Sequence, residues 1–151
     1  MTLIADVLAQ DHRDCDHAFA RAEALVAKRE WSAADKATAE FAADLDRHFE
    51  TEEQVLFPRF EAVTGMSNGP TAVMRGEHAE MRRVLAELQN ALRRRDADDF
   101  SGEAETLLIL MQQHNMKEEN ILYPMCDARL VLERDTLIAT ISGQLAHEAS
   151  T

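Results

Sequence analysis

Residues 48–58 read HFETEEQVLFP, and residues 114–124 read HNMKEENILYP. The two strings stand 66 positions apart and share a histidine, a Glu-Glu pair, a leucine, an aromatic residue and a proline. At the same offset His12 falls on His78, Asp11 on Glu77 and Asp14 on Glu80. The chain contains itself twice, and a repeat outranks any local pattern in deciding a fold. A unit of 66 residues suits one helical hairpin, and two hairpins make a four-helix bundle.

The composition agrees. A chain of 151 residues with 46% hydrophobic and 29% charged residues fits a single globular domain over 1–151. Only 5 glycines and 3 prolines leave few turn signals, which favours long helices over many strands. Acidic residues outnumber basic ones 28 to 16, for a net charge of −12. Nucleic acid and anionic membrane surfaces both require a positive patch, so neither is an expected partner. No apolar run approaches the ~20 residues of a membrane span. The start, MTLIADVLAQDHRD, lacks the basic region and long apolar core of a signal peptide, and two cysteines make no disulfide framework. A cytoplasmic location is therefore expected.

The fold class predicted is all-α: an antiparallel up-down-up-down four-helix bundle built from a duplicated hairpin. Helices are expected at about 3–29, 33–63, 70–95 and 102–127, so that the hairpins cover 3–63 and 70–127. Ser32 followed by Asp35 marks a helix start. TGMSNGP at 64–70 is the mid-chain turn, and DADDFSGE at 96–103 reads as a polar loop with a cap. Leu137, Ile138, Ile141 and Leu145 predict a short fifth helix at about 132–146, covering part of the bundle.

Each long helix carries one apolar stripe stepping by three or four. The stripes are Ile4, Leu8, His12, Cys15, Phe19, Ala22, Val26; then Phe41, Leu45, His48, Glu52, Val55. The second hairpin repeats them as Met74, His78, Met81, Leu85, Leu88, Leu92 and as Leu107, Met111, His114, Glu118, Ile121, Met125. Four histidines and two glutamates thus occupy interior positions. In His-x-x-x-Glu the two side chains differ by about 40° in azimuth and about 6 Å along the axis, so both reach one point between helices. A buried carboxylate without compensation is unfavourable by several kcal/mol, and a cation would offset its charge while using the imidazole lone pairs. A single inward histidine is more often a hydrogen-bonded core residue, and one His-x-x-x-Glu pair is common on helix surfaces. Four such histidines, two with Glu at i+4, related by duplication, point to bound metal; a buried His–Glu hydrogen-bond network is the alternative. Six side chains, His12, His48, Glu52, His78, His114 and Glu118, exceed the four ligands of structural zinc and fit two ions with shared carboxylates. Mixed imidazole and carboxylate donors suit iron, manganese or zinc. Pairing His12 with His48 and His78 with His114 is one choice that the spacing leaves open.

Other residues carry less. His17 sits about 140° from His12 and off its face. Asp16, at i+4 from His12, reads either as a ligand or hydrogen-bond acceptor, or as the partner of Arg82 across the bundle. Cys15 reads as an inert buried thiol, Cys126 carries no signal, and Phe57 and Tyr123 read as packing. Met66, Met74, Met81, Met111, Met116 and Met125 read mostly as core fillers. His147 lies in the tail and is given no role.

His12, His48-x-x-x-Glu52, His78 and His114-x-x-x-Glu118, with the E-E-x-x-L-F-P and E-E-x-x-L-Y-P strings, resemble the hemerythrin-like (HHE cation-binding) domain family over about residues 8–127. The resemblance implies a non-haem centre of two Fe ions with an oxo or hydroxo bridge, Glu52 and Glu118 bridging as well; manganese or zinc are the substitutes. Oxygen carriers of the family have a fifth histidine one turn after the third-helix ligand, where this chain has Arg82, and they end with His-x-x-x-x-Asp. With four His and two Glu, both irons keep room for an exogenous ligand, which argues against stable reversible oxygen carriage. The expected function is binding or sensing of a small ligand (oxygen, nitric oxide or peroxide), with a protein partner for redox or signalling output. The alternative is iron handling, iron–sulfur repair or nitric oxide detoxification. A metabolic enzyme is not expected; the enzymatic version is nitric oxide or peroxide reduction at the open positions. Glu53 and Glu119, about 100° off the ligand face, are the only candidate acids for it.

Overall fold

The computed structural model describes residues 1–146. His147 lies outside the described residues. The described residues are mainly helical: α1 (Ile4–Ala27), α2 (Trp31–Thr51), α3 (Phe57–Thr64), α4 (Pro70–Arg93), α5 (Ala97–Lys117), α6 (Tyr123–Arg129) and α7 (Arg134–Leu145). There is no strand among the described residues. Helix α2 runs into α3, and α5 into α6, through one π-helical turn each, Glu52–Leu56 and Glu118–Leu122. The bundle of two hairpins is as the repeat predicts, and the short C-terminal helix is as the apolar pattern from Leu137 to Leu145 predicts. α1 packs on α2 and α4 on α5 within the hairpins, and α1 on α5 and α2 on α4 between them.

The repeat extends into the backbone. Each hairpin turn closes on an arginine in the left-handed region, Arg29 and Arg95, both at φ 56°. Around it, Glu30 N–H reaches the Leu25 carbonyl and Asp96 N–H the Ala91 carbonyl, at 3.0 Å each, which is the Schellman pattern usually built on glycine. Arg95 also lies over the Trp31 ring, 5.4 Å away, and pairs with Asp35. With a turn this short, α2 starts at Trp31 and not at 33. The polar run at 96–103 is no loop: Asp96 caps α5, accepting from Asp99 N–H at 3.0 Å, and Asp98 and Asp99 lie in its first turn. Carboxylates there favour the helix N-terminus. Between hairpins, Gly65 ends α3 at φ 72°, a conformation that costs a side-chain-bearing residue but not glycine.

The π turns explain where the stripes break. Pro58 and Pro124 have no N–H to give and their rings crowd the carbonyl four residues back. The chain accommodates them by bonding Phe57 N–H to the Glu52 carbonyl and Tyr123 N–H to the Glu118 carbonyl, five residues back. One extra residue per turn shifts the inward face by one position. Leu56 and Leu122 are buried where Val55 and Ile121 were expected, and Ile121 is 56% exposed. Met125 is only half-buried and Met116 is exposed. The stripes of α1 and α4 are buried at every expected position.

Two apolar clusters fill the bundle. One, at the hairpin-turn end, includes Phe19, Phe41, Phe49, Leu88, Phe100 and Leu107. The other includes Ile4, Leu8, Phe57, Phe60, Leu122 and Tyr123, and α7 covers it with Leu137 and Ile141. The four interior histidines form a belt between them, since each follows or precedes a member of both clusters along its helix. The α1 N-terminus is tied down by a carboxylate remote in sequence. Asp127 accepts from Ile4 N–H at 2.8 Å and Ala5 N–H at 3.1 Å, and pairs with Arg134 at 3.3 Å. Asp127→Ala is expected to lower the free energy of urea unfolding by about 1–3 kcal/mol, by removing a cap and leaving Arg134 without its partner.

Candidate metal centre

His12, His48, His78 and His114 are each at most 4% exposed, and Glu52 and Glu118 are fully buried. The structure brings all six expected side chains to the centre of the bundle. Their donor atoms form two groups, each within 4.8 Å: Glu52, His78, His114 and Glu118, and His12, His48 and Glu118. This pairs His12 with His48 (ring centroids 4.6 Å apart) and His78 with His114 (4.8 Å). Glu118 belongs to both groups, and Glu52 also lies 3.4 Å from His48.

All four rings have the same orientation. Each Nδ1 points away from the centre at a carboxylate: His12 at Glu119 (2.7 Å), His48 at Asp11 (2.7 Å), His78 at Glu53 (2.7 Å) and His114 at Glu77 (2.8 Å). Facing an acceptor, each Nδ1 carries the ring hydrogen, so the neutral imidazole aims its Nε2 lone pair inward. There it meets carboxylate oxygens: His12 to Glu118 at 3.0 Å, His78 to Glu52 at 3.1 Å, His114 to Glu118 at 3.2 Å. While the rings are neutral with the hydrogen on Nδ1, these contacts set lone pair against lone pair. His78 Nε2, His114 Nε2, Glu52 Oε1 and Glu118 Oε2 are buried without a hydrogen-bond partner. Nitrogen and carboxylate donors converging in this way, four of their atoms without a hydrogen-bond partner, fit a metal cation.

Without a cation, protons are drawn in. Burial opposes charge on His48, but Glu52, Asp11 and Glu118 outweigh it and hold the ring up to about 9. His114 is raised in the same way by Glu118, Glu52 and Glu77 against its burial. Burial also raises Glu52, helped by the charge of Glu118. Glu118 is held well below the usual carboxylate range: burial resists, but Glu52, His114 and His12 hydrogen-bond its charged form.

Five site residues were not foreseen in these roles. Asp11 and Glu77 were visible only as a repeat match. Glu53 and Glu119 stand off the face of their own helix, but each reaches the histidine of a neighbouring one. Tyr123 places its hydroxyl inside the centre, 2.7 Å from Glu52 Oε2 and 2.9 Å from Glu118 Oε1. The π turn puts it there: residues five apart on an ordinary α-helix diverge by about 140°. The clue in the sequence was the Phe57/Tyr123 pair, alike except for one hydroxyl. Burial and both glutamates push that phenol well above its ordinary range. Phe49 was unremarked, yet stacks on His78 at 4.1 Å.

Other expectations are corrected. Arg82 does not pair with Asp16. It lies over Phe49, 5.2 Å away, and binds Glu53 through both terminal nitrogens, at 2.8 and 3.2 Å, and Asp46 at 3.0 Å. The position of the carriers' fifth histidine thus holds the acid behind His78. Asp16 and His17 are exposed and outside both donor groups. Burial pushes the Cys15 thiol up, in keeping with an inert role. A small cleft of about 70 Å³ beside His114, lined by Glu77, Met81, Leu110 and Gln113, opens toward solvent.

The family model for the hemerythrin HHE cation-binding domain matches residues 3–126. The chain belongs to this family. No curated protein and no solved structure matches it. No helix among the described residues is long and apolar enough to cross a membrane.

The acids behind the hemerythrin-domain histidines make a testable layer. Glu53→Gln is expected to weaken metal binding by about 10–100-fold in an equilibrium chelator competition, since it removes the charge that orients His78 and holds Arg82. Glu133→Gln, which alters an exposed pair with Arg59, should leave the affinity unchanged.

Proposed function

We propose that this hemerythrin-domain protein holds two iron ions between its helices and uses them to bind or sense a small ligand: oxygen, nitric oxide or peroxide. His12, His48, Glu52, His78, His114 and Glu118 are the proposed ligands, with Glu52 and Glu118 shared. The observation that carries this reading is the set of buried histidine and glutamate donor atoms, several without a hydrogen-bond partner, that converge from four helices. Iron, when bound, supplies the redox and ligand-binding chemistry.

The residues around it do four things. The Nδ1 carboxylates fix each ring and raise its donor strength. Phe49 and Phe57, stacked on His78 at 4.1 and 5.8 Å, exclude water. Arg82 and Lys117 neutralise the acids behind His78 and His114, Lys117 through a short contact to Glu77. The cleft beside His114 is of a size for a diatomic molecule. Rings anchored at both nitrogens favour a retained metal over one held for delivery.

Aerobically purified protein is expected to carry about two irons per chain and an oxo-to-iron absorption, and the reduced form is expected to gain a new visible absorption when nitric oxide is added. His114→Ala should lose most of the metal, and His17→Ala should keep it. Iron below about half an equivalent after anaerobic loading, with zinc as the only metal retained, would overturn the reading.

A further inference from the structure

The duplication supplies an internal control, because each atom near the centre has a mate 66 residues away. His12 and His78, His48 and His114, Glu52 and Glu118, and the four Nδ1 acids all match. Others do not: Phe49 is matched by Asn115, Arg82 by Asp16, Lys117 by Thr51, and Phe57 by Tyr123. The two halves therefore differ chemically. The His78/His114 half has four donor groups and two phenylalanine rings. The His12/His48 half has three donor groups and a tyrosine.

The Tyr123 oxygen lies 3.1 Å from His12 Nε2, 3.4 Å from His48 Nε2, 2.9 Å from Glu118 Oε1 and 2.7 Å from Glu52 Oε2. A phenol has one hydrogen to share among these four neighbours. Whichever it serves, the phenol oxygen remains close to the other three, and neutral rings would face it with lone pairs. Donors at about 2.1 Å from one ion stand about 3.0–3.4 Å apart when their directions diverge by right to tetrahedral angles. The tyrosine's separations from His12, His48 and Glu118 are close to that spacing.

We propose that Tyr123 supplies its phenol oxygen as a direct ligand to the cation shared by His12, His48 and Glu118. The proton of the phenol leaves to solvent as the oxygen–cation bond forms. The inference rests on the metal-centre reading and deepens it. The His12/His48 half gains a donor beyond its histidines and the shared glutamates, while the His78/His114 half has only Phe57 at the matching place and keeps its position for an incoming ligand. The uneven acids agree: Glu53 behind His78 is held by Arg82, whereas the matching place beside Glu119 is Asp16.

This tyrosine is the only one in the chain, so any tyrosinate signal belongs to it without assignment by mutation. The test is resonance Raman spectroscopy of the full-length protein loaded with iron and oxidised in air, with iron counted on the same sample. The wild-type protein is expected to show a visible phenolate-to-iron band with enhanced tyrosine ring modes. Tyr123→Phe should keep the iron count within about twofold and lose both, and Phe57→Tyr in that background should restore them. Azide added to the wild-type protein should bind without removing the ring modes. Iron at full count with no tyrosinate modes in the wild-type protein would overturn the ligand role while sparing the metal centre. Displacement of those modes by azide would overturn the placing of the open position. A wild-type protein that takes up no iron would remove both readings together.

Discussion

Four imidazole lone pairs and two carboxylates are aimed at one buried space, and that opposition governs the rest of the molecule. Hydrogens cannot relieve it from the rings' outer side, because each Nδ1–H is already committed to an acid. Only positive charge in the middle does so, as protons or as metal ions. The carboxylates around His48 and His114 favour the protonated rings when no cation is there. A metal ion answers the same demand with fixed geometry, which is what a binding centre needs.

The acids behind the rings also assemble the bundle. Helix α1 reaches the π turn after α5 through His12 and Glu119, and α2 reaches α1 through His48 and Asp11. Helix α4 reaches the π turn after α2 through His78 and Glu53, and α5 reaches α4 through His114 and Glu77. The four links close a ring around the centre. Apolar clusters above and below keep water from it. The same side chains thus orient the candidate ligands and set how the helices lie against one another.

Chemistry enters where the two halves of the chain diverge. A perfect repeat would make two equal positions. Phe49 against Asn115, Arg82 against Asp16 and Phe57 against Tyr123 make one position apolar and backed by cations, the other oxygen-rich and acidic. In the proposed two-ion centre, unequal sites would let one cation be held firmly while its neighbour meets an incoming molecule, a division of labour that a symmetric pair of sites lacks.

Periodicity and the repeat determined the helical bundle, the hairpin pairing, the inward histidines and the two glutamates, because spacing along a helix sets azimuth directly and a duplicated pattern is local information. The tertiary structure decided what depends on contact between distant segments. Asp127 caps α1 from 122 residues away, and Glu53 and Glu119 leave their own helix's ligand face to meet a ring on another. The left-handed Arg29 and Arg95 close turns that composition marks only for glycine, so the polar run after Arg95 read as a loop. The π turns are the sharpest case. Pro58 and Pro124 were in plain view, but whether a helix breaks, kinks or takes up one extra residue at a proline depends on what packs around it. Here the extra residue turns Tyr123 inward, and a side chain that periodicity places in the packing layer becomes part of the centre.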